Sequence, residues 1–491
     1  MKFTAVAAAC LSLFSQVLGE TNIAGPSSSK VVLPATFKPP QVFKNANLVH
    51  VISLEKNYAK EAINVLIENA SPEPQDEYFL PFTSDQMERV GGIEVKDRKD
   101  ASVSGFVVEA VEFDQTSDAQ YYRIRLPTPL PAKGQQTLGI SFYYLNAFAP
   151  LPAAIQQSDK QYLLYQFSAY CPSAYPTLKQ KTEVKLPSSD IPDYTKIAGS
   201  GETKEFPQKQ GSKLTYGPFP EVPAGAVSPV KVRYEFTKPV THVSQLERDI
   251  EVSHWGGNVA FEERYTLYNH GANLSSQFNR VKWAQSQYFN PQSYALKEMK
   301  FPLRVGSKDA YFTDVIGNVS TSRFRSNKRE AVLELKPRYP VFGGWKYPFT
   351  IGWNADAKQF LRKSGDSYLL NIPFIEGPKQ SEGVEFEQIQ VRVLLPEGAE
   401  NVKFHTSIPE SSITDYTVDL QQTYLDTIGR TVLTIKARNL VDDFRDRDLI
   451  ISYDYSLVAS LRKPLIVFSS MVTVFVGMWA ISKVDVKFST K

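Results

Sequence analysis

Apolar and polar residues alternate with a period of two in short runs along most of the chain. Between residues 230 and 236, Val232, Tyr234 and Phe236 fall on one face and Lys231, Arg233 and Glu235 on the other, the pattern of a strand with one buried face. Strands are expected likewise at 47–54, 121–126, 137–144, 261–268, 389–395, 432–437 and 449–455. Pro and Gly cut these runs apart, and no long 3.6-period or heptad pattern suggests a helical repeat or coiled coil. One short helix is expected at 354–363, with Gly365 able to end it. The fold class is therefore mainly β. Thr237-Lys238-Pro239 marks a break, which divides the chain into two large sandwich-like β domains, 20–238 and 239–463, each long enough to bury an apolar core. Residues 145–222, rich in Pro and Gly, are the chief interruption, and part of this stretch reads as a long excursion on the first domain. A faint echo links 48–69 with 241–273, each passing from a strand through charged residues to an N-x-S triplet.

Two segments break the alternation. Residues 464–482, PLIVFSSMVTVFVGMWAIS, carry no charge. As a helix they extend about 28 Å, close to the roughly 30 Å hydrocarbon layer of a bilayer. Trp479 lies near one end, where an amphipathic ring suits the interface. The small or hydroxylated Ser469, Ser470, Thr473 and Gly477 mark a face for packing against other membrane helices. The lack of charge inside argues against this span itself being a proton or ion pathway. Residues 1–19 have a short basic start, an apolar stretch and small residues before Gly19, as in a secretory signal cleaved after that glycine. The leader would carry 20–463 across the membrane and the late span would stop transfer, leaving 483–491 as a short cytosolic tail. Flanking basic residues are too balanced to set the orientation alone.

Lys and Arg total 55 against 52 Asp and Glu, so charge argues against a polybasic nucleic-acid binder. Without the leader's Cys10, Cys171 is the one remaining cysteine; an intramolecular disulfide and a cysteine-only metal cluster are excluded. A large lumenal part without disulfides leans toward the endoplasmic reticulum. Asn69, Asn273 and Asn318 head N-x-S triplets on the lumenal side and are candidate glycosylation sites, with Asn273 favoured and Asn69 the one that packing could hide.

Catalytic chemistry finds little support. His254-Trp255-Gly256-Gly257, His270 and the Glu262-Glu263 pair match no zinc spacing, and a Gly-rich bend beside Trp255 is the stronger account. No activating base accompanies Cys171, which reads as a packed free thiol. The alternating charges of 442–448 read as a solvated turn, with a lipid-side or subunit-side contact as the alternative. No catalytic, cofactor-binding or metal residue is assigned. The segment PRYPVFGGWKYPFTIGWN crowds Tyr339, Phe342, Trp345, Tyr347, Phe349 and Trp353 around two glycines. It is either an internal cluster holding an irregular loop or a surface for protein or glycan contact, since rings give large contact area at small entropy cost.

Three blocks, YLLYQFSAYCPSAYPTLKQKTEVKLPS from Tyr162, SHWGGNVAFEERYTLYNHGANL from Ser253 and PRYPVFGGWKYPFTIGWN from Pro337, together with the order of leader, large lumenal part and late span, resemble the ribophorin I family in its fungal form. That family is the alpha subunit of the oligosaccharyltransferase complex, and the resemblance covers essentially 20–482. It implies a non-catalytic accessory role in asparagine-linked glycosylation in the endoplasmic reticulum membrane: stabilising the complex and handling nascent polypeptide while another, multi-span subunit transfers the dolichyl-diphosphate-linked oligosaccharide to Asn in N-x-S/T. Implied partners are that subunit, other subunits, nascent chains, membrane lipids and the protein-translocation channel. A lumenal chaperone-like or glycan-binding receptor is the alternative, and a stand-alone transferase a third.

Overall fold

The structure, a computed structural model, describes residues 31–34, 37–100, 105–112, 119–198, 205–289, 293–365, 367–422 and 426–483. The expected signal at 1–19 and the tail beyond Lys483 lie outside the described residues. Buried and half-buried positions alternate without a break through both Ala59–Asn69 and Asn258–Asn269, so each strand lays one face on a core while its edges bond to neighbours. All the expected strands are present, most of them longer than the sequence pattern alone marks.

The molecule is mostly β, with mixed sheets and one C-terminal apolar helix. In the first half a seven-stranded sheet runs Gln208–Gln210, Lys213–Val222, Thr177–Lys185, Phe43–Ser53, Ala59–Asn69, Gln135–Tyr144 and Val90–Asp97. In the second half an eight-stranded sheet contains, in order, Lys346–Asp356, Asn258–Asn269, Thr241–Ser253, Glu385–Glu397 and Arg430–Val441. One apolar core draws on residues between Phe43 and Val240. The other draws on Val243 to Tyr455, together with Tyr58, Tyr143 and Leu145 from the first half.

Within 145–222, Thr177–Lys185 lies inside the seven-stranded sheet, parallel to Phe43–Ser53. One expectation is corrected. The helix at 354–363 does not form. Lys346–Asp356 continues as a strand between two partners, Asp356 caps a single 3-10 turn at Ala357–Gln359, and Leu361–Ser364 is strand again. Ladder bonding to two neighbours outweighs the weak local helical preference. Helices instead occur at Ser84–Arg89, where Thr83 and Gln86 form a capping box, and at Arg280–Phe289.

The faint echo is realised as topology. Phe43–Ser53 and Ala59–Asn69 form an antiparallel hairpin, as do Thr241–Ser253 and Asn258–Asn269. Each hairpin's first strand also pairs parallel with a later strand, and its second strand pairs antiparallel with another. Each carries an irregularity at the same place, Asn45/Asn47 in one and Val243/Gln245 in the other. Phe43 faces Asn69, and Thr241 faces Asn269. The counterpart of Asn69 is therefore the buried Asn269, not the triplet residue Asn273. At matching positions on the first strands stand the buried His50 and Arg248. Each meets a buried carboxylate, Glu61 at 2.8 Å and Glu263 respectively. Each carboxylate also accepts from a buried tyrosine, Tyr165 at 2.7 Å and Tyr265 at 2.6 Å.

Candidate functional site

The two halves meet along a polar seam. Lys56, Tyr58 and Lys60 lie at the turn into Ala59–Asn69, and Asp442 and Asp443 follow the strand Arg430–Val441. Lys56 Nζ reaches Asp442 at 2.9 Å and Asp443 at 2.7 Å, and Lys60 Nζ reaches Asp443 at 2.7 Å. Tyr58 donates to Asp442 at 2.6 Å and Tyr143 to Asp443 at 3.1 Å. Burial works against the Asp443 charge, but Lys56 and Lys60 outweigh it and hold its carboxyl well below the usual range. Further along, Arg447 pairs with Glu94 at 2.9 Å. The expectation of a solvated turn at 442–448 is thus corrected for these acids, since their cations come from a segment hundreds of residues earlier. Asn439 adds a close approach: its amide donates to Glu88 O and Val90 O, and a Cβ on Gly91 would stand 2.0 Å from Asn439 O.

His242, His270 and Glu385 gather nearby, with potential ligand atoms within 4.8 Å of one another. Their geometry does not fit a metal. His242 Nδ1 faces Glu385 at 2.9 Å and Nε2 faces Glu387 at 3.0 Å, so both ring nitrogens are committed to carboxylates, as in an imidazolium. The His270 ring stacks on it, centroids 4.3 Å apart at 18°; one ion cannot lie in the planes of two parallel stacked rings. Burial opposes the His242 charge, yet the two glutamates raise its pKa. Burial and the neighbouring His242 lower His270 to about 4. The grouping considered from sequence is dispersed. His254 bonds Tyr453 OH at 2.7 Å, Glu263 is buried on Arg248, and Glu262 accepts from Arg264 and Tyr311. His242 carried no sequence signal. Cys171 is buried, and burial pushes its thiol pKa well up.

The aromatic segment divides. Tyr347, Phe349 and Trp353 sit in Lys346–Asp356 with their rings in the core, Phe349 stacked on Tyr265 and Trp353 on Phe261. Phe342 is fully buried in a satellite cluster with Tyr294, packed against Phe278 and Trp283. Gly343 is required there, because a Cβ would meet Ala272 O at 2.1 Å. Of the six rings, only Tyr339, 39% exposed, and the half-buried Trp345 reach the surface. Only these two are left to form a contact surface, since strand pairing turns Tyr347, Phe349 and Trp353 inward and the satellite cluster takes Phe342.

Asn69 is fully buried; its amide donates to Glu73 O and Leu130 O, both at 2.8 Å. Asn273 and Asn318 are exposed.

The helix Leu457–Ser482 is long and apolar enough to cross a membrane and is exposed along its length. It starts before the expected residue 464. Ser456 caps it by accepting from Ala459 N, and Pro464 lies inside. Pro464 has no N–H to give Ser460 O; Trp255 Nε1 donates to that oxygen instead, at 2.8 Å. Lys463 binds Asp426 at 2.6 Å and Glu397 at 3.5 Å. Ser469, Ser470 and Thr473 bond back to the carbonyls of Ile466, Val467 and Ser469, and nothing lies within 4 Å of a Cβ on Gly477.

A family model described as Ribophorin I matches residues 43–482. A Caenorhabditis elegans protein named dolichyl-diphosphooligosaccharide--protein glycosyltransferase subunit 1 is 31% identical, covering 91% of this chain and 73% of its own. The Schizosaccharomyces pombe protein of the same name is 31% identical, covering 85% and 90%. Among solved structures, an M1 zinc metallopeptidase from Deinococcus radiodurans aligns over 43% of this chain and 42% of its own at 12% identity. Its TM-score of 0.25 carries no argument.

Proposed function

The chain belongs to the ribophorin I family, whose members are non-catalytic accessory subunits, and from that premise we propose that it supports the oligosaccharyltransferase complex of the endoplasmic reticulum membrane. The observation that carries this reading is the extent of the match, which runs through both β halves and the apolar helix. In this reading the leader directs 20–463 to the lumen, where 20–238 and 239–463 serve as two sandwich-like domains, and the late helix holds them at the membrane. A separate multi-span subunit transfers dolichyl-diphosphate-linked oligosaccharide to Asn in N-x-S/T. This chain stabilises that assembly and handles nascent polypeptide emerging from the translocation channel, with Tyr339 and Trp345 as accessible rings for contact. Asn273 and Asn318 are acceptor sites on the protein itself.

The test is an assay of the purified chain and of the intact assembly with lipid-linked donor and acceptor peptide. Turnover by the assembly and none by the chain alone is expected. Turnover by the single chain would overturn the accessory role.

A further inference from the structure

Pro464 leaves the Ser460 carbonyl without its helical donor at the point where the chain enters the apolar run. An unsatisfied carbonyl costs most where water is scarce. The donor that replaces it belongs to the β body: Trp255, in the turn between Thr241–Ser253 and Asn258–Asn269. That turn is held by Gly256 N donating to Ser253 Oγ and by Gly257 at φ 59. Two more contacts fix the helix start to the same body, Lys463 on Asp426 and Glu397, and Ala459 packed close to Gly398. The depth of Trp255 is therefore set by the helix.

Although bonded, Trp255 is 66% exposed, and Leu457, Val458 and Leu461 on the first turns of the helix are exposed with it. Ser460 lies about 6 Å before the start of the apolar run at Pro464. Measured along the helix, the Ser460 level and Trp479 are about 28 Å apart, close to the roughly 30 Å hydrocarbon thickness. Tryptophans belong at both boundaries of that layer. Trp479 supplies one boundary from the helix; the other boundary has no tryptophan on the helix and receives one from the β body.

We propose that Trp255 is a membrane-interface anchor: its indole ties the β body to the span and sits among the lipid headgroups on the side of the two β halves. The occupant of the exposed ring face is the lipid interface, argued from its continuity with the span. This rests on reading Leu457–Ser482 as a membrane helix, and holds whichever compartment the β halves face.

The full chain is placed in phosphatidylcholine nanodiscs containing lipid spin-labelled at the headgroup or at the acyl-chain end. Tryptophan emission is compared among wild type, Trp255→Phe and Trp479→Phe. The emission lost in Trp255→Phe should be quenched at least twofold by headgroup label and much less by chain-end label. A Trp255→Cys variant carrying a nitroxide should show the matching depth by oxygen against nickel-chelate accessibility. If the Trp479 component is quenched by lipid label and the Trp255 component is not, the anchor is refuted while the span stands. If neither is quenched, the membrane reading itself fails. If headgroup quenching of Trp255 is absent in the intact assembly though present in the single chain, another subunit covers the ring and lipid is not its occupant.

Discussion

Asn69 and Asn269 end the second strands of matching hairpins, and both amides are consumed by backbone carbonyls: Glu73 and Leu130 in one case, Tyr294 and Val341 in the other. A glycan on Asn69 would remove a donor and need space inside a packed loop. Peptide mass spectrometry before and after deglycosylation is expected to find Asn273 and Asn318 modified and Asn69 bare. An unmodified Asn273 would defeat this assignment. The N-x-S spacing was legible, but the burial was not, because it comes from strands and loops far along the chain. The Arg248 cluster is hidden for the same reason. Arg248 lies between Glu263 and Glu376, with 2.7 Å to the latter, and is fully buried. Arg248→Ala would strand two carboxylates in the core and is expected to cost about 3–5 kcal/mol in denaturant unfolding. A loss under about 1 kcal/mol would mean the cluster is far better solvated than its burial indicates.

Elements were readable where one face is buried and the other wet, since alternation then reports the strand directly. Thr177–Lys185 was obscured by the prolines around it, and 354–363 lacked any marker of the neighbours that make it extended. The seam between the halves left no trace at all, because Lys56 and Asp442 are a contact between distant segments. Its pH response follows from its groups. Asp443 is depressed, so its contribution is present above an ordinary carboxylate pKa of about 4 and is lost as pH falls through its lowered value. His270 is also depressed, so its contribution is present above about 6.5 and is lost as pH falls toward about 4. His242 is raised, so its contribution is present below about 6.5 and is lost as pH rises through its raised value. Hydrogen-exchange protection factors around 56–60 and 439–443, taken relative to the intrinsic rate at each pH, are expected to fall on acidification below about pH 4, and Asp443→Asn is expected to lower them already at pH 7. Unchanged exchange in Asp443→Asn would show that the clasp does not hold the seam.

Across the whole chain, two β halves with matching hairpin topology, joined by charge, close backbone approach and shared apolar packing, precede one apolar helix. The apolar helix carries hydroxyls that are satisfied within the helix, with Gly477 open on its surface. A subunit that works beside a catalytic partner should be recovered with it when the assembly is purified in gentle detergent through a tag on this chain and its composition is read by mass analysis. The expected result is a stoichiometric complex containing a multi-span subunit, lost or weakened when Ser470 and Gly477 are replaced by leucine. Recovery of the wild-type chain alone, with no multi-span protein in fixed proportion, would contradict it.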